Sequence, residues 1–150
     1  MRLLVSWVLA LFLVFMFVMA TIYPLPNPPA GIPKLYSLPG ENVVFATLAA
    51  KTGFAFFEPT GRVVVAIIEL VAIVLLLVPR WRRGGALLSF FVLAAAVAAH
   101  MMPDVLGREL PVSMSDPSLG TDGGRQFTLS VAMAAASILL LMVHPVRARR

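Results

Sequence analysis

The stretch that decides the fold is GRVVVAIIELVAIVLLLVP, residues 61–79, which is apolar at almost every position. A helix that crosses the hydrocarbon core of a bilayer, roughly 30 Å thick, needs about 20 such residues. Three other stretches are similarly long and apolar, so membrane-spanning helices are predicted over residues 3–22, 62–79, 85–102 and 126–144. The sequence therefore predicts an all-α integral membrane four-helix bundle, formed as a single domain over residues 1–150.

The composition agrees with this class of protein. Of the 150 residues, 60% are hydrophobic and only 13% are charged, whereas an ordinary soluble domain carries about 25% charged residues. The net charge of +5 comes largely from arginine clusters next to the predicted spans, where anionic lipid headgroups would lie. A lipid bilayer is therefore the expected partner, and no nucleic acid is expected.

Basic residues also predict the orientation. They precede the first span, follow the second span as Arg80, Arg82 and Arg83, and end the chain, without any acid among them. The positive-inside rule then predicts a multi-pass inner-membrane protein with both termini in the cytoplasm. The first span could instead be a signal peptide, but its apolar run is longer than the usual 7–15 residues, so we expect it to be retained.

The connection between the first two spans contains two kinds of sequence. Prolines recur through residues 23–39, which predicts an extended, turned segment on the outer side. The following stretch ENVVFATLAAKTGFAFF, residues 41–57, predicts a short amphipathic interfacial helix. Its apolar face is predicted to contain Val43, Ala50, Phe54 and Phe57.

Glu69 is the exception within the stretch that decides the fold. A charged side chain at the bilayer centre costs about 2.5–3.5 kcal/mol on insertion scales, so it usually faces a partner or a cavity. At 1.5 Å per residue, Glu69 lies on the order of 10 Å and His100 on the order of 5 Å below the outer surface. We predict that these two residues pair, directly or through water. Lys34, Lys51 and Arg62 are the alternative counter-ions, and both a structural pair and a binding or proton-relay site remain open.

Small residues and serines in the last two spans add a packing prediction. Runs of alanine over residues 94–99 and 132–136 predict close helix contacts. Ser130 and Ser137 share one helical face. They either bond backbone carbonyls of their own helix or line the polar interior that contains Glu69.

Several chemistries are excluded by the residues present. The absence of cysteine removes disulfides, thiolate nucleophiles and conventional iron–sulfur ligation. The two histidines, His100 and His144, are predicted at opposite membrane faces, so they cannot bind one haem together. No metal site is expected, because a zinc ion needs three or four converging ligands. The sequence also lacks the phosphate-binding and nucleophile motifs of common enzymes, so a self-contained enzyme is not expected.

The segment KLYSLPGENVVFATLAAKTGFAFFEPTGRVVVAIIELVAIVLLLVPRWRRGGALLSFFVLAAAVAAH, residues 34–100, resembles DoxX-like membrane proteins. The resemblance lies in the order of its short motifs, from Lys-Leu through Glu-Leu and a basic turn to the closing His. It implies a four-helix membrane fold associated with oxidoreductase systems, since DoxX is named as a subunit of a thiosulfate:quinone oxidoreductase. Lys34, Glu69 and His100 match the polar positions of the family.

The resemblance implies an accessory or quinone-facing subunit with a polar pocket near the outer leaflet. Quinone is then the implied cofactor, and other membrane or redox subunits are the implied partners. A small transporter or permeation subunit is the alternative function, with Glu69 as the coupling acid and a homo-oligomer enclosing the pathway. A structural membrane scaffold is a further alternative function. Two departures from the family pattern, the proline-rich insert before Lys34 and the long loop after His100, weaken any transfer of site geometry.

Overall fold

The computed structural model describes residues 1–22 and 34–144. Within these ranges the regular structure is helical, apart from one isolated antiparallel bridge between Pro111 and Thr121. This confirms the predicted all-α class. The helices are α1 (Arg2–Thr21), α2 (Val43–Thr52), α3 (Thr60–Leu77), α4 (Arg82–Met101) and α5 (Arg125–Val143), with short 3₁₀ turns at Ala55–Phe57 and Pro117–Leu119.

Helices α1, α3, α4 and α5 are each long and apolar enough to cross a membrane. Their ends lie within three residues of the predicted spans. Many large apolar side chains on their outward surfaces are exposed, as expected where lipid rather than water is the solvent. Examples from three of these helices are Leu4, Val8, Phe15, Phe91 and Met142. The protein is therefore a multi-pass membrane protein.

The four long helices form a ring in which each packs against two neighbours. Helix α1 contacts α3 and α5, and α4 contacts the same two helices from the other side. Helices α3 and α4 approach closely at Gly85, where an added Cβ would be only 2.7 Å from the backbone nitrogen of Leu76. The centre of the ring is apolar and is filled by Ala10, Leu13, Phe17, Ala72, Ile73, Leu76, Ala86, Leu93, Met133, Ala136 and Leu140.

The antiparallel order of the helices gives the bundle two different ends. At the basic end, α1 and α4 begin and α3 and α5 end, so that Ser6, Pro79, Arg82 and His144 come together. At the loop end, α1 and α4 end, α3 and α5 begin, and α2 lies beside the 102–124 connection. Buried polar side chains occur at both ends.

Helix α2 and the 102–124 connection pack together at the loop end. Asn42 caps α2 by accepting a hydrogen bond from the Phe45 backbone amide at 3.3 Å, and the helix ends at Gly53 with φ 70°. The Lys51 ammonium donates to the carbonyl oxygens of Pro103 and Leu106, at 2.9 Å each. A second apolar cluster fills the contact, with Val43, Phe45, Leu48, Leu106 and Leu110 buried.

The predicted apolar face of α2 is only partly correct. Val43 is buried, but Ala50 and Phe54 are exposed and Phe57 is half-buried. The helix ends at Gly53, so its periodicity does not continue to the phenylalanines, which follow in an extended residue and a 3₁₀ turn. Of the predicted extended segment, residues 23–33 lie outside the described residues.

Candidate functional site

Glu69 is paired with Lys34. One carboxylate oxygen, Oε2, accepts a hydrogen bond from Lys34 Nζ at 2.9 Å and another from the Thr21 hydroxyl. The Lys34 and Glu69 side chains are only 15% and 6% exposed. The charge within the second span is therefore neutralised by one of the three alternative counter-ions predicted from the sequence.

The end of α1 creates the place that this pair occupies. Thr21 is the last residue of α1, and Glu69 follows the first residue of α3 by nine positions, a rise of roughly 13 Å along the helix. Helix α1 thus stops well short of the start of α3. The backbone amides of Lys34 and Leu35 donate to the carbonyls of Ala20 and Thr21, at 3.1 and 3.2 Å. These bonds satisfy two carbonyls at the end of α1 and position Lys34 beside Glu69.

A second ion pair supports the first. Arg62 Nε donates to both carboxylate oxygens of Glu58, at 2.9 and 3.0 Å, and Arg62 Nη1 donates to the Lys34 carbonyl. The Arg62 and Glu58 side chains are almost completely buried. We call these five residues the loop-end cluster, and they are Thr21, Lys34, Glu58, Arg62 and Glu69. The cluster contains two acids and two bases, so it balances its own charge.

His100 is not bonded to Glu69, and the predicted direct pairing is wrong. His100 Nδ1 lies 2.8 Å from the Gly107 carbonyl oxygen, so Nδ1 carries the proton, since a carbonyl only accepts. The His100 ring also contacts the edge of Phe127 on α5, with ring centroids 5.9 Å apart. Glu69 faces α1, whereas His100 faces α5 and the 102–124 connection, so these neighbouring helices present the two side chains in different directions.

Asp122 joins the 102–124 connection to the start of α5. Its carboxylate accepts hydrogen bonds from the backbone amides of Leu110, Gly124 and Gln126, at 2.9, 3.0 and 2.9 Å. Burial raises the pKa of Asp122, but these three amides and the nearby His100 together outweigh burial and lower the pKa overall. The 102–124 connection is thereby held over the end of α4 by an ionised side chain.

The other predicted counter-ions have different partners. Lys51 holds the 102–124 connection through carbonyl oxygens, and Arg62 reaches the cluster through Glu58 and the backbone of Lys34. Two cluster members were missed in the sequence. The four-residue spacing of Glu58 and Arg62 was a usable signal, whereas Thr21 offered only a polar side chain at the end of a span.

A second buried polar group lies at the basic end, where the sequence predicted only headgroup contacts. Ser6 Oγ is 2.7 Å from His144 Nδ1, and His144 Nε2 is 3.0 Å from the Pro79 carbonyl oxygen. Arg82 Nη1 donates to Ser6 Oγ at 3.2 Å, and Arg82 Nε donates to the Leu76 carbonyl at 2.8 Å. Arg82, far from contacting solvent, is completely buried.

The direction of these bonds follows from the acceptors. The Pro79 carbonyl only accepts, so in the neutral ring His144 Nε2 carries the proton and Nδ1 accepts from Ser6. Burial lowers the pKa of His144, the bond to Pro79 raises it, and the charges of Arg82 and Arg83 lower it further, so that the net shift is downward. Hydrogen bonds therefore run in one direction, from Arg82 through Ser6 and a neutral His144 to Pro79.

The remaining polar groups inside the bundle bond to their own helices. Ser130 donates to the Gln126 carbonyl and Ser137 to the Met133 carbonyl, each at 2.9 Å, which confirms the first of the two alternatives for these serines. Within residues 1–22 and 34–144, no group of three or more histidine, aspartate or glutamate side chains could hold a metal ion.

Comparison with known protein families, curated proteins and solved structures finds no match for this chain. The DoxX-like resemblance therefore rests on the order of motifs in residues 34–100. It remains a prediction.

Proposed function

We propose that the protein is an accessory, quinone-facing subunit of a membrane oxidoreductase system, in which the loop-end cluster binds the polar head of a small amphipathic molecule. The observation that carries this proposal is the Lys34–Glu69 pair, held at 2.9 Å and largely buried at the end of α1. Ionisable groups within membrane spans are costly and usually mark a site. Here three separate segments, α1, α3 and the chain at Lys34, converge to build one.

The side chains of the cluster suit a quinone head. The Lys34 ammonium has three protons, so it can donate to a quinone carbonyl oxygen while it stays bonded to Glu69. The Glu69 carboxylate accepts from the hydroxyl of a reduced quinol, and Thr21 orients that carboxylate. The chain itself has no cysteine, so conventional iron–sulfur ligation cannot come from it. Electrons would have to come from another subunit, which makes a redox partner part of the proposal.

The apolar core favours binding over transport by a single chain. The loop-end cluster and the polar group at the basic end are separated by apolar residues that pack without exposure, among them Leu13, Phe17, Leu76 and Leu140. A coupling acid for transport needs a polar route to both sides of the membrane. Among the residues that the structure describes, the hydrogen-bond partners of Glu69 instead lie on the loop-end side.

The orientation forms part of the same proposal. By the positive-inside rule the basic end faces the cytoplasm, so the loop end faces outward from the inner membrane. Reporter fusions after residue 150 and near Ser118 test this arrangement. A fusion after residue 150 that is active only outside the cytoplasm would reverse it.

Quantification of co-purified quinone tests the function. The wild-type protein, Glu69→Gln, Lys34→Gln and the control Lys51→Gln are purified from native membranes, and quinone per chain is measured after solvent extraction. Lys51→Gln removes the same charge at the same end without touching Glu69. We expect the wild type and the control to retain quinone, and the two cluster variants to retain at least about tenfold less. We also expect redox subunits among the proteins that co-purify with the wild type. Equal quinone in all four, or none in the wild type, would refute the proposal.

A further inference from the structure

Arg82 carries a buried charge, and no acidic side chain among the described residues lies at its end of the bundle. Its exposed fraction is 0%, and it lies at the basic end. The seven acidic side chains of the sequence all belong to the loop-end segments or to the loop-end cluster, and they are Glu41, Glu58, Glu69, Asp104, Glu109, Asp116 and Asp122. Buried charges are normally paired. A balancing charge for Arg82 must therefore come from outside the acidic side chains of this chain.

One nitrogen of the same guanidinium also lacks a hydrogen bond. Arg82 Nε and Nη1 are bonded to Leu76 and Ser6, and the guanidinium carbon lies 3.7 Å from the centre of the Trp7 ring. Nη2 is the one buried side-chain nitrogen or oxygen without a hydrogen-bond partner in the part of the chain that the structure describes. Within the same part of the chain, the Arg82 guanidinium therefore lacks both a balancing negative charge and a hydrogen-bond acceptor for Nη2.

The surroundings of Arg82 favour an anion. Helix α4 begins here without a side-chain cap, which leaves the positive end of the helix open. His144, which is linked to Arg82 through Ser6, carries no negative charge in either of its protonation states. The carbonyl of Leu76 offsets part of the Arg82 charge but does not reach Nη2.

We propose that Arg82 Nη2 binds a phosphate oxygen of a ligand with net negative charge at the basic end, either the headgroup of an anionic lipid or inorganic phosphate. A guanidinium suits this ligand because it is weakly hydrated, always charged and able to donate in several directions at once. Trp7 is only half-buried and covers one face of the guanidinium. Because Nη2 is buried, a neighbouring side chain at the basic end must move to admit the phosphate. This proposal is independent of the quinone site, which lies at the other end of the bundle.

Thermal unfolding in nanodiscs tests the proposal. The wild type, Arg82→Lys and Arg82→Gln are compared with Arg80→Gln and Arg83→Gln, which remove one exposed charge from the same turn. One arm replaces part of the phosphatidylcholine by phosphatidylglycerol. The other keeps phosphatidylcholine and exchanges chloride for inorganic phosphate at equal ionic strength. Native mass spectrometry measures bound lipid or phosphate in each sample.

We expect anionic lipid or phosphate to raise the Tm of the wild type and of both controls, and the arm that does so identifies the source. The Arg82 variants should bind that ligand at least about tenfold more weakly, because they lose a charge-assisted hydrogen bond. Equal responses in all five proteins would indicate general surface attraction and overturn the proposal. No response in the wild type would also overturn it. If Arg82→Gln does not fold, ligand binding is compared between the wild type and Arg82→Lys, which keeps the charge but loses the guanidinium group.

Discussion

The Lys34–Glu69 pair makes a quantitative prediction for a double-mutant cycle. Glu69→Gln leaves the Lys34 ammonium without its partner, and Lys34→Gln leaves the Glu69 carboxylate without its partner. Breaking a buried pair from one side costs about 3–5 kcal/mol. The Glu69 side chain is 6% exposed and Lys34 is 15% exposed, so neither charge is freely solvated after its partner is removed.

The two single variants should not be equal. Lys34 has a long, flexible stem that can carry its ammonium to the loop-end surface, whereas Glu69 is fixed by its position in α3. We therefore expect about 2 kcal/mol of destabilisation for Glu69→Gln and about 3–4 kcal/mol for Lys34→Gln. The double variant should cost about 1–3 kcal/mol less than the sum, as for residues in one network.

Equilibrium unfolding in mixed micelles, followed by circular dichroism, measures these free energies. Two further cycles serve as controls, in which Glu69→Gln is combined with Lys51→Gln or with His100→Gln. Both partners are bonded elsewhere, so these combinations should be additive within about 0.5 kcal/mol. Coupling of Glu69 to His100 that equals or exceeds its coupling to Lys34 would refute the assignment of the counter-ion.

Three further predictions concern packing and pH. Gly85→Ala should lower the free energy of unfolding by about 1–3 kcal/mol, because the added Cβ would lie 2.7 Å from the backbone of α3. Gly84→Ala, which has open space around its Cβ, should be neutral or stabilising, and thermal unfolding compares the two variants. The pKa of His144 is lowered in the folded protein, so the unfolded chain binds more protons below about pH 6.5. The free energy of unfolding should therefore fall as the pH drops below that value, by up to about 1.4 kcal/mol per pH unit. Unfolding of His144→Gln, measured over the same pH range, should lack this dependence. Asp122→Asn should cost about 1–2 kcal/mol near neutral pH and progressively less as pH falls through the lowered pKa of Asp122. Hydrogen exchange of the 102–124 amides should rise in Asp122→Asn, whereas the exposed control Asp116→Asn should affect only the Ser118 amide, which is bonded to Asp116.

Hydropathy determined the fold class without help from the structure. Long apolar runs leave a chain little choice in a bilayer, because every backbone polar group must be bonded internally. The ends of α1, α3, α4 and α5 therefore agree with the predicted spans within three residues. The need of Glu69 for a polar partner was likewise visible in the sequence, since it is the only carboxylic acid in its apolar span.

The partner of Glu69 was decided by the tertiary structure alone. Depth along two antiparallel helices can be estimated from residue counts, and this estimate suggested His100. A direct contact also depends on the rotation of each helix about its axis, which sets α3 to present Glu69 to α1 and α4 to present His100 to α5. It further depends on where the chain re-enters at Lys34, whose backbone bonds to the end of α1. Neither quantity is encoded in a local pattern.

Arg82 is a second residue whose surroundings could not be predicted from the sequence. In the sequence it is one of three arginines in a short basic turn, and each of the three is equally suited to lipid headgroups. The structure buries Arg82 completely and leaves Arg80 and Arg83 exposed. Arg82 is the first residue of α4, and its side chain reaches Leu76 on α3 and Ser6 on α1. Its burial follows from the meeting of three helix ends that are far apart in sequence, which is a property of the assembled bundle.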